Sequence, residues 1–362
     1  MNILIGYGYH PWGTATYLQR AFERQGTATF VGTSWAAQPG FPATVDLREV
    51  VAGLPDKPDL FFLVDTGELR YFPRGLVALD CPTACYLIDV HVRPHELVKK
   101  AMFFDYAFSA QRDFVDALRR AGHPQAHWLP FACDPAVHRR YDVTKRYDIG
   151  FAGSTRSGYE RRRVLLDRLR RRFTVNDHHQ SYAPPEMARL YSESRLVFNC
   201  SMRREVNMRI FEGPATGTLL LTDRIGNGLS DVVRDGQHVV MYNDDQLVDV
   251  AETFLRDDGE RTRIAEQGYE HMLTHHTYDH RVVTIVGTVF GQSGGPRLRA
   301  PLRHRSEPDV DLAYAEVFSL MGWVDDVMGQ YARLPRRLHY RIPAAKQLAL
   351  CLLRRGHYLL EA

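Results

Sequence analysis

NCSMRREVNMRIFEGPATGTLLLTD, residues Asn199 to Asp223, reads as the end of a strand, a polar loop, a helix and a second strand. An apolar run closes at Asn199, and the loop carries Ser201, Arg203, Arg204 and Glu205. A helical pattern begins near Asn207, and Gly217 stops it before Leu219-Leu220-Leu221. In such a unit the helix N-terminus aims unpaired N–H groups and the positive end of its dipole at the carboxyl edge of the sheet, where a phosphate can sit. Glu212 lies about one and a half turns in. A carboxylate there does not bind phosphate, but it accepts hydrogen bonds from a hydroxylated group attached to the phosphate, such as a ribose. The other reading is a helix whose glutamate is simply solvated, and spacing alone leaves the two open.

Upstream, Asp148 to Phe151 is a strand running into Gly153-Ser154-Thr155-Arg156-Ser157-Gly158, where the Arg156 guanidinium is suited to clamp a diphosphate. The basic run from Arg161 to Arg172 cannot all enter one cleft and is read mostly as a solvated helix face. Phe173 to Asn176 is a further strand, and a loop carrying Ser181 and Tyr182 leads into a helix with proline in its first turn. Downstream, Val239 to Tyr242 is a strand followed by two amphipathic helices. His275, His276 and His280 offer at best one i, i+4 pair, His276 with His280, without a third ligand, and are assigned to a helix end or the surface.

The first half alternates in the same way. Asn2 to Ile5 is a buried strand, followed by the loop Gly6-Tyr7-Gly8-Tyr9-His10-Pro11-Trp12-Gly13 and a helix from Thr14. The glycines do not have the dinucleotide spacing and no acidic residue closes the second strand, which disfavours a nicotinamide cofactor. Strand-like runs at Leu60 to Val64, Thr83 to Ile88, Tyr106 to Ser109 and His127 to Leu129 predict an α/β layer with a parallel sheet. Ligands then belong at the carboxyl ends of the strands. His10 follows the first strand, and Asp89 and His91 follow Thr83 to Ile88, so these three are the candidate catalytic residues.

The 362 residues fit two domains, and 44% hydrophobic with 25% charged residues is ordinary for a globular protein. A net charge of +3 is too small to argue for nucleic acid. Met1 runs directly into a strand, so no leader is expected, and no apolar run approaches the ~18 residues of a membrane span. Five cysteines, odd in number and mostly in apolar runs, suit reduced thiols and a cytoplasmic protein; Cys81 and Cys85 lack the second pair that a metal site needs. The expected segments are residues 1–145, residues 146–290, and a linker with a helical extension over 291–362. The extension's leucines and basic residues suit packing on a domain, self-association or peripheral membrane contact.

From Asp148 to His280 the chain resembles the C-terminal domain of the group 1 glycosyltransferases, in the branch typified by the spore-maturation-protein-like family. The resemblance is carried by Gly150-Phe151-Ala152-Gly153-Ser154, by Tyr182-Ala183-Pro184-Pro185-Glu186, by Val206-Asn207-Met208-Arg209-Ile210-Phe211-Glu212, and by Leu221-Thr222-Asp223 and the run from His276 to Arg281. It implies an α/β GT-B architecture: two Rossmann-like domains facing a central cleft, plus C-terminal helices. A nucleotide-sugar donor is then held mostly by the C-terminal domain and an acceptor by the N-terminal one. Glu212 is implied to bind the donor ribose, and the backbone at Asn207, Met208 and Arg209 to meet the diphosphate. Gly153, Ser154 and Arg156 belong to the same donor-binding set, with Ser181 and Tyr182 near the base. There is one departure: group 1 enzymes show two glutamates eight positions apart, whereas here Arg204 stands eight before Glu212 and Glu205 is one position off.

The implied function is transfer of a sugar from a nucleoside diphosphate to an unidentified acceptor in bacterial glycan or glycoconjugate biosynthesis, with retention favoured by the resemblance. No metal or other cofactor is expected, since arginines and N–H groups take the place of the cation. A nucleotide-sugar epimerase on the same plan and a non-catalytic nucleotide-sugar-binding protein are the alternatives.

Overall fold

The computed structural model describes residues 1–34, 40–65, 71–156, 158–291 and 299–360. Ser157 and part of the expected linker at the start of the 291–362 segment lie outside these. The first half contains β1 (Asn2–Gly6), α1 (Thr14–Glu23), β2 (Thr27–Val31), α2 (Leu47–Ala52), β3 (Leu60–Asp65), β4 (Thr83–Leu87), α3 (Pro94–Ala101), β5 (Tyr106–Ser109), α4 (Arg112–Arg120) and β6 (Ala126–Trp128). Its six strands pair in parallel in the order β2-β1-β3-β4-β5-β6. Every residue of β3 and β4 is buried, as near-continuous apolar runs between two helical layers require.

A second set follows: β7 (Tyr147–Gly150), α5 (Glu160–Arg170), α6 (Pro184–Ser192), β8 (Ser194–Phe198), α7 (Arg209–Glu212), β9 (Leu219–Asp223), α8 (Leu229–Val232), β10 (Val240–Tyr242), α9 (Leu247–Arg256), α10 (Asp258–His275) and α11 (Tyr278–Phe290). Its strands form a parallel sheet in the order β10-β9-β8-β7. The expected strand at Phe173 to Asn176 is reduced to an isolated bridge between Ile149 and Val175. Three helices close the chain: α12 (Glu307–Met321), α13 (Val324–Arg333) and α14 (Leu338–Leu360).

Contacts divide the chain into one unit of Met1–Leu129 with Gly287–Ala362 and another of Pro130–Val286. Both differences from the expected segments have a physical reason. The proline-rich crossover is stitched to the second unit, because the Cys133 N–H donates to His276 O at 2.9 Å and the Tyr278 N–H donates back to Cys133 O at 3.1 Å. The Arg281 guanidinium adds bonds of 2.8 Å to both Pro130 O and Phe131 O. The C-terminal helices are no separate extension, since Tyr314, Phe318, Met321 and Val327 are buried in one cluster with Phe72, Phe103 and Phe104. Asp105 ties the connection down: 1% exposed, it accepts from the Thr83 N–H, from the Ala300 N–H at 2.7 Å and from Arg303 Nε at 3.1 Å. Packing on a domain is thus what the apolar residues of α12 and α13 do, while Leu352 and Leu353 of α14 remain exposed. No described helix is long and apolar enough to cross a membrane.

Candidate functional site

The carboxyl edge of the second unit's sheet is organised by Arg209. Its guanidinium donates to Ala152 O just past β7, to Asn199 Oδ1 just past β8 at 2.7 Å, and to Tyr191 Oη of α6 at 3.0 Å. The Phe151 ring lies 4.9 Å from the guanidinium carbon. Asn199 in turn receives the Asn207 amide at 3.1 Å and donates to Thr222 Oγ1 of β9 at 2.9 Å, and Tyr242 Oη of β10 donates to Asn199 O at 2.6 Å. A fixed positive charge therefore stands where β7 and β8 end.

Gly153 makes room for it. Its φ of 157° suits glycine, and a Cβ there would come within 2.5 Å of Arg209 Nη2. Gly153→Ala is expected to displace the guanidinium from Ala152 O and to cost about 1–3 kcal/mol in backbone strain. Thermal unfolding of the variant, followed by a nucleotide titration, checks both effects.

The helix predicted from Asn207 to Gly217 is much shorter in the fold. Four residues, Arg209–Glu212, form α7, and a single 3₁₀ turn at Pro214–Thr216 follows before Gly217 closes it at a φ of 69°. Pro214 has no N–H to continue the α ladder. One turn carries little macrodipole, so the positive pole inferred for the helix N-terminus is supplied by the Arg209 side chain instead. Asn207 and Met208 open the turn, their carbonyls accepting from Ile210 and Phe211 N–H.

Glu212 is 8% exposed, and burial raises its carboxyl to a pKa of about 7 against the pull of Arg209. It is not the solvated glutamate of the simpler reading. The displaced glutamate acts elsewhere, since Glu205 Oε1 accepts from the Met202 N–H at 2.7 Å and Oε2 from the Arg203 N–H at 2.5 Å. Its carboxylate closes its own loop, where Arg204 has a φ of 59°.

Two arginines of the basic run are staples. Arg162, 7% exposed, donates to Cys200 O at 2.8 Å and to Ser154 O at 2.9 Å, tying the β7 and β8 exits together. Arg161 bridges Asp223 at 2.8 Å and Asp244 at 2.6 Å, beside the 2.6 Å bond from Ser201 Oγ to Asp223. Spacing along one basic helix carries no signal for either. Ser154 and Arg156 lie exposed on the loop, with the Arg156 N–H 3.4 Å from Ser154 Oγ. Ser181 is exposed, and Tyr182 reaches the same edge indirectly: its hydroxyl accepts from Asn176, whose amide exchanges bonds with the Phe151 N–H and O at 2.8 and 2.9 Å.

In the first unit, His10 is exposed on the loop after β1, its Nδ1 2.7 Å from Trp12 O. Asp89 and His91 are half-buried on the loop after β4. β3 stands between those strands and ends in Asp65, buried with Lys100 at 2.6 Å, while Lys100 also pairs Glu96 at 2.9 Å. Sequence reading missed this ion triad because its members come from two separate elements. Glu96 and Lys100, four apart on an inward face of α3, were the available signal.

Residues 130–287 match the family described as glycosyl transferase-like. HepE from Anabaena, solved in complex with UDP and glucose, is similar at a TM-score of 0.60 and 14% identity, over 81% of this chain and 100% of that one. Sucrose-phosphate synthase from Thermosynechococcus elongatus gives 0.57 and 11% over 78% and 97%. A putative UDP-N-acetylglucosamine 2-epimerase from Listeria monocytogenes gives 0.50 and 12% over 82% and 98%. No protein of curated function matches the sequence. At these identities the structural likeness shows the fold, which is GT-B, and none of these matches singles out the spore-maturation branch.

Proposed function

We propose that this GT-B glycosyltransferase takes its sugar from a nucleoside diphosphate held at the carboxyl edge of the second unit's sheet. The observation that carries the reading is a buried carboxylate, Glu212, on the same short turn as the Arg209 guanidinium, so that an anion partner and a hydroxyl partner stand side by side. In this reading Arg209 and Arg156 stabilise the negative charge that grows on the departing diphosphate. Glu212 accepts hydrogen bonds from the ribose, and Gly153, Ser154, Asn207, Met208, Ser181 and Tyr182 complete the donor set. Uridine is the base to test first, since solved structures of similar fold hold UDP and UDP-glucose.

The proposed chemistry needs no metal, because guanidinium groups do the work of a cation. Asp89, His91 and His10 are proposed to serve the acceptor, whose identity is open, and retention is the proposed course. A cytoplasmic place is proposed as well, in keeping with cysteines that form no disulfide among the described residues.

Calorimetry with UDP, GDP and dTDP tests the proposal. One of the three is expected to bind, and Arg156→Ala to weaken it about tenfold through loss of a charge-assisted contact. Binding is also expected to tighten as pH rises through about 7, the range in which Glu212 ionises and becomes a pure acceptor. Failure of all three nucleotides to bind would remove the reading. Incubation with donor alone distinguishes an epimerase, the second reading, which the likeness to the Listeria monocytogenes protein keeps in view. An epimerase alters the sugar without an acceptor.

A further inference from the structure

Glu212 has a neighbour that belongs neither to its own turn nor to any strand of the sheet. His138 lies in the crossover segment at the start of the second unit, its side chain 0% exposed, with Nε2 3.4 Å from Glu212 Oε1. Local geometry decides which way this ring faces and where its proton sits. The chain turns at Asp134, whose carbonyl accepts from the Val137 and His138 N–H groups at 3.0 and 2.7 Å. Asp134 Oδ1 accepts from the Ala136 N–H at 3.0 Å, and the Asp134 N–H itself donates to His138 Nδ1 at 3.0 Å. A ring nitrogen that accepts a backbone N–H carries no proton, so in the neutral imidazole the proton is on Nε2, the atom facing Glu212. Burial keeps the imidazole neutral, lowering its pKa to about 3.

We propose that His138 is the positioning residue for the Glu212 carboxylate, its Nε2, 3.4 Å from Oε1, donating to that oxygen once the hydroxyls of a nucleoside diphosphate engage Oε2. This rests on the donor-site reading of Glu212 given above. Among the described residues, this carboxylate also interacts with Arg209 on its own turn, Tyr191 from α6 and Cys133 from the crossover. Arg209 is engaged by Ala152, Asn199 and Tyr191, and the Cys133 thiol is pushed up to about 12 by burial. His138 is thus the neutral N–H group nearest the carboxylate on the crossover side. Without its N–H, the buried carboxylate loses stabilisation of its charged form and rotates about its last torsion.

The test combines UDP titrations from pH 5.5 to about 9 with two substitutions. His138→Phe keeps ring shape and loses both the Nε2–H donor and the Nδ1 acceptor of the Asp134 N–H; it is expected to bind UDP about tenfold more weakly at neutral pH and to move the pH midpoint of binding upward by about one unit. His138→Gln, whose amide nitrogen reaches the Nε2 position, is expected to restore affinity to within about threefold of the parent. A merely structural role would not move the midpoint. Unchanged affinity and midpoint in His138→Phe, with binding lost in Glu212→Gln, would overturn the inference and leave the donor site standing. No binding of UDP, GDP or dTDP to the parent protein would overturn both. Should His138→Phe not fold, nitrogen-15 spectra of the parent decide: an Nε2–H tautomer is expected, and an Nδ1–H tautomer overturns the inference.

Discussion

Replacing Glu212 with glutamine is expected to give a protein that binds its nucleotide about a hundredfold less tightly yet unfolds at a higher temperature at pH 8. The loss follows from exchanging an anionic acceptor for an amide whose nitrogen cannot accept. Hydrogen bonds to a charged group contribute about 1.5–3 kcal/mol, so one such bond lost and another weakened reach two decades in affinity. The gain follows from linkage. Burial raises the folded-state pKa of Glu212 from 4.5 to about 7, so between those values the folded state holds a proton that the unfolded chain has released. Stability from this group is therefore intact below 4.5 and declines as pH rises to about 7, the full penalty persisting above that. At pH 8 the cost is of order 3 kcal/mol, and a neutral amide of the same shape removes most of it. Melting the parent and variant with no nucleotide added should show a difference at pH 8 that shrinks towards pH 4.5. A variant less stable at pH 8, or one with parental affinity, would contradict the arrangement.

Asp105→Ala is expected to destabilise the chain by about 3–5 kcal/mol, the scale for breaking a buried charge pair by removing one partner. The carboxylate accepts from the Thr83 and Ala300 N–H groups, Thr83 Oγ1 and the Arg303 guanidinium. Its removal leaves buried donors unsatisfied and uncouples the returning segment from the start of β4. Arg303 keeps carbonyl partners at Leu79 and Cys81, so its charge is not wholly stranded. Urea denaturation checks the magnitude through a lowered midpoint at unchanged slope. A change under about 0.5 kcal/mol would mean that the segment is held by α12 packing alone.

The sequence carried the elements that depend on local periodicity. Apolar runs such as Leu60 to Val64 and Leu219 to Leu221 are buried parallel strands. Gly217 ends its helical pattern in the left-handed conformation that its reading required. The helix is shorter than that pattern because Pro214 cannot continue the α ladder and instead opens a new turn.

Chain order and composition determined by themselves that this is an α/β protein with two sheets, and that Glu212 lies on a helical segment between two strands of the second. Tertiary structure alone decided what that turn touches. Arg209 became the bridge between β7 and β8, Glu205 the latch of its own loop, and His138 the neighbour of Glu212. It also decided that the last helices return to the first unit. The reason is one of range: periodicity and caps report on neighbours within a turn or two, whereas a buried polar group is satisfied by whichever distant donor the folded backbone brings within about 3 Å.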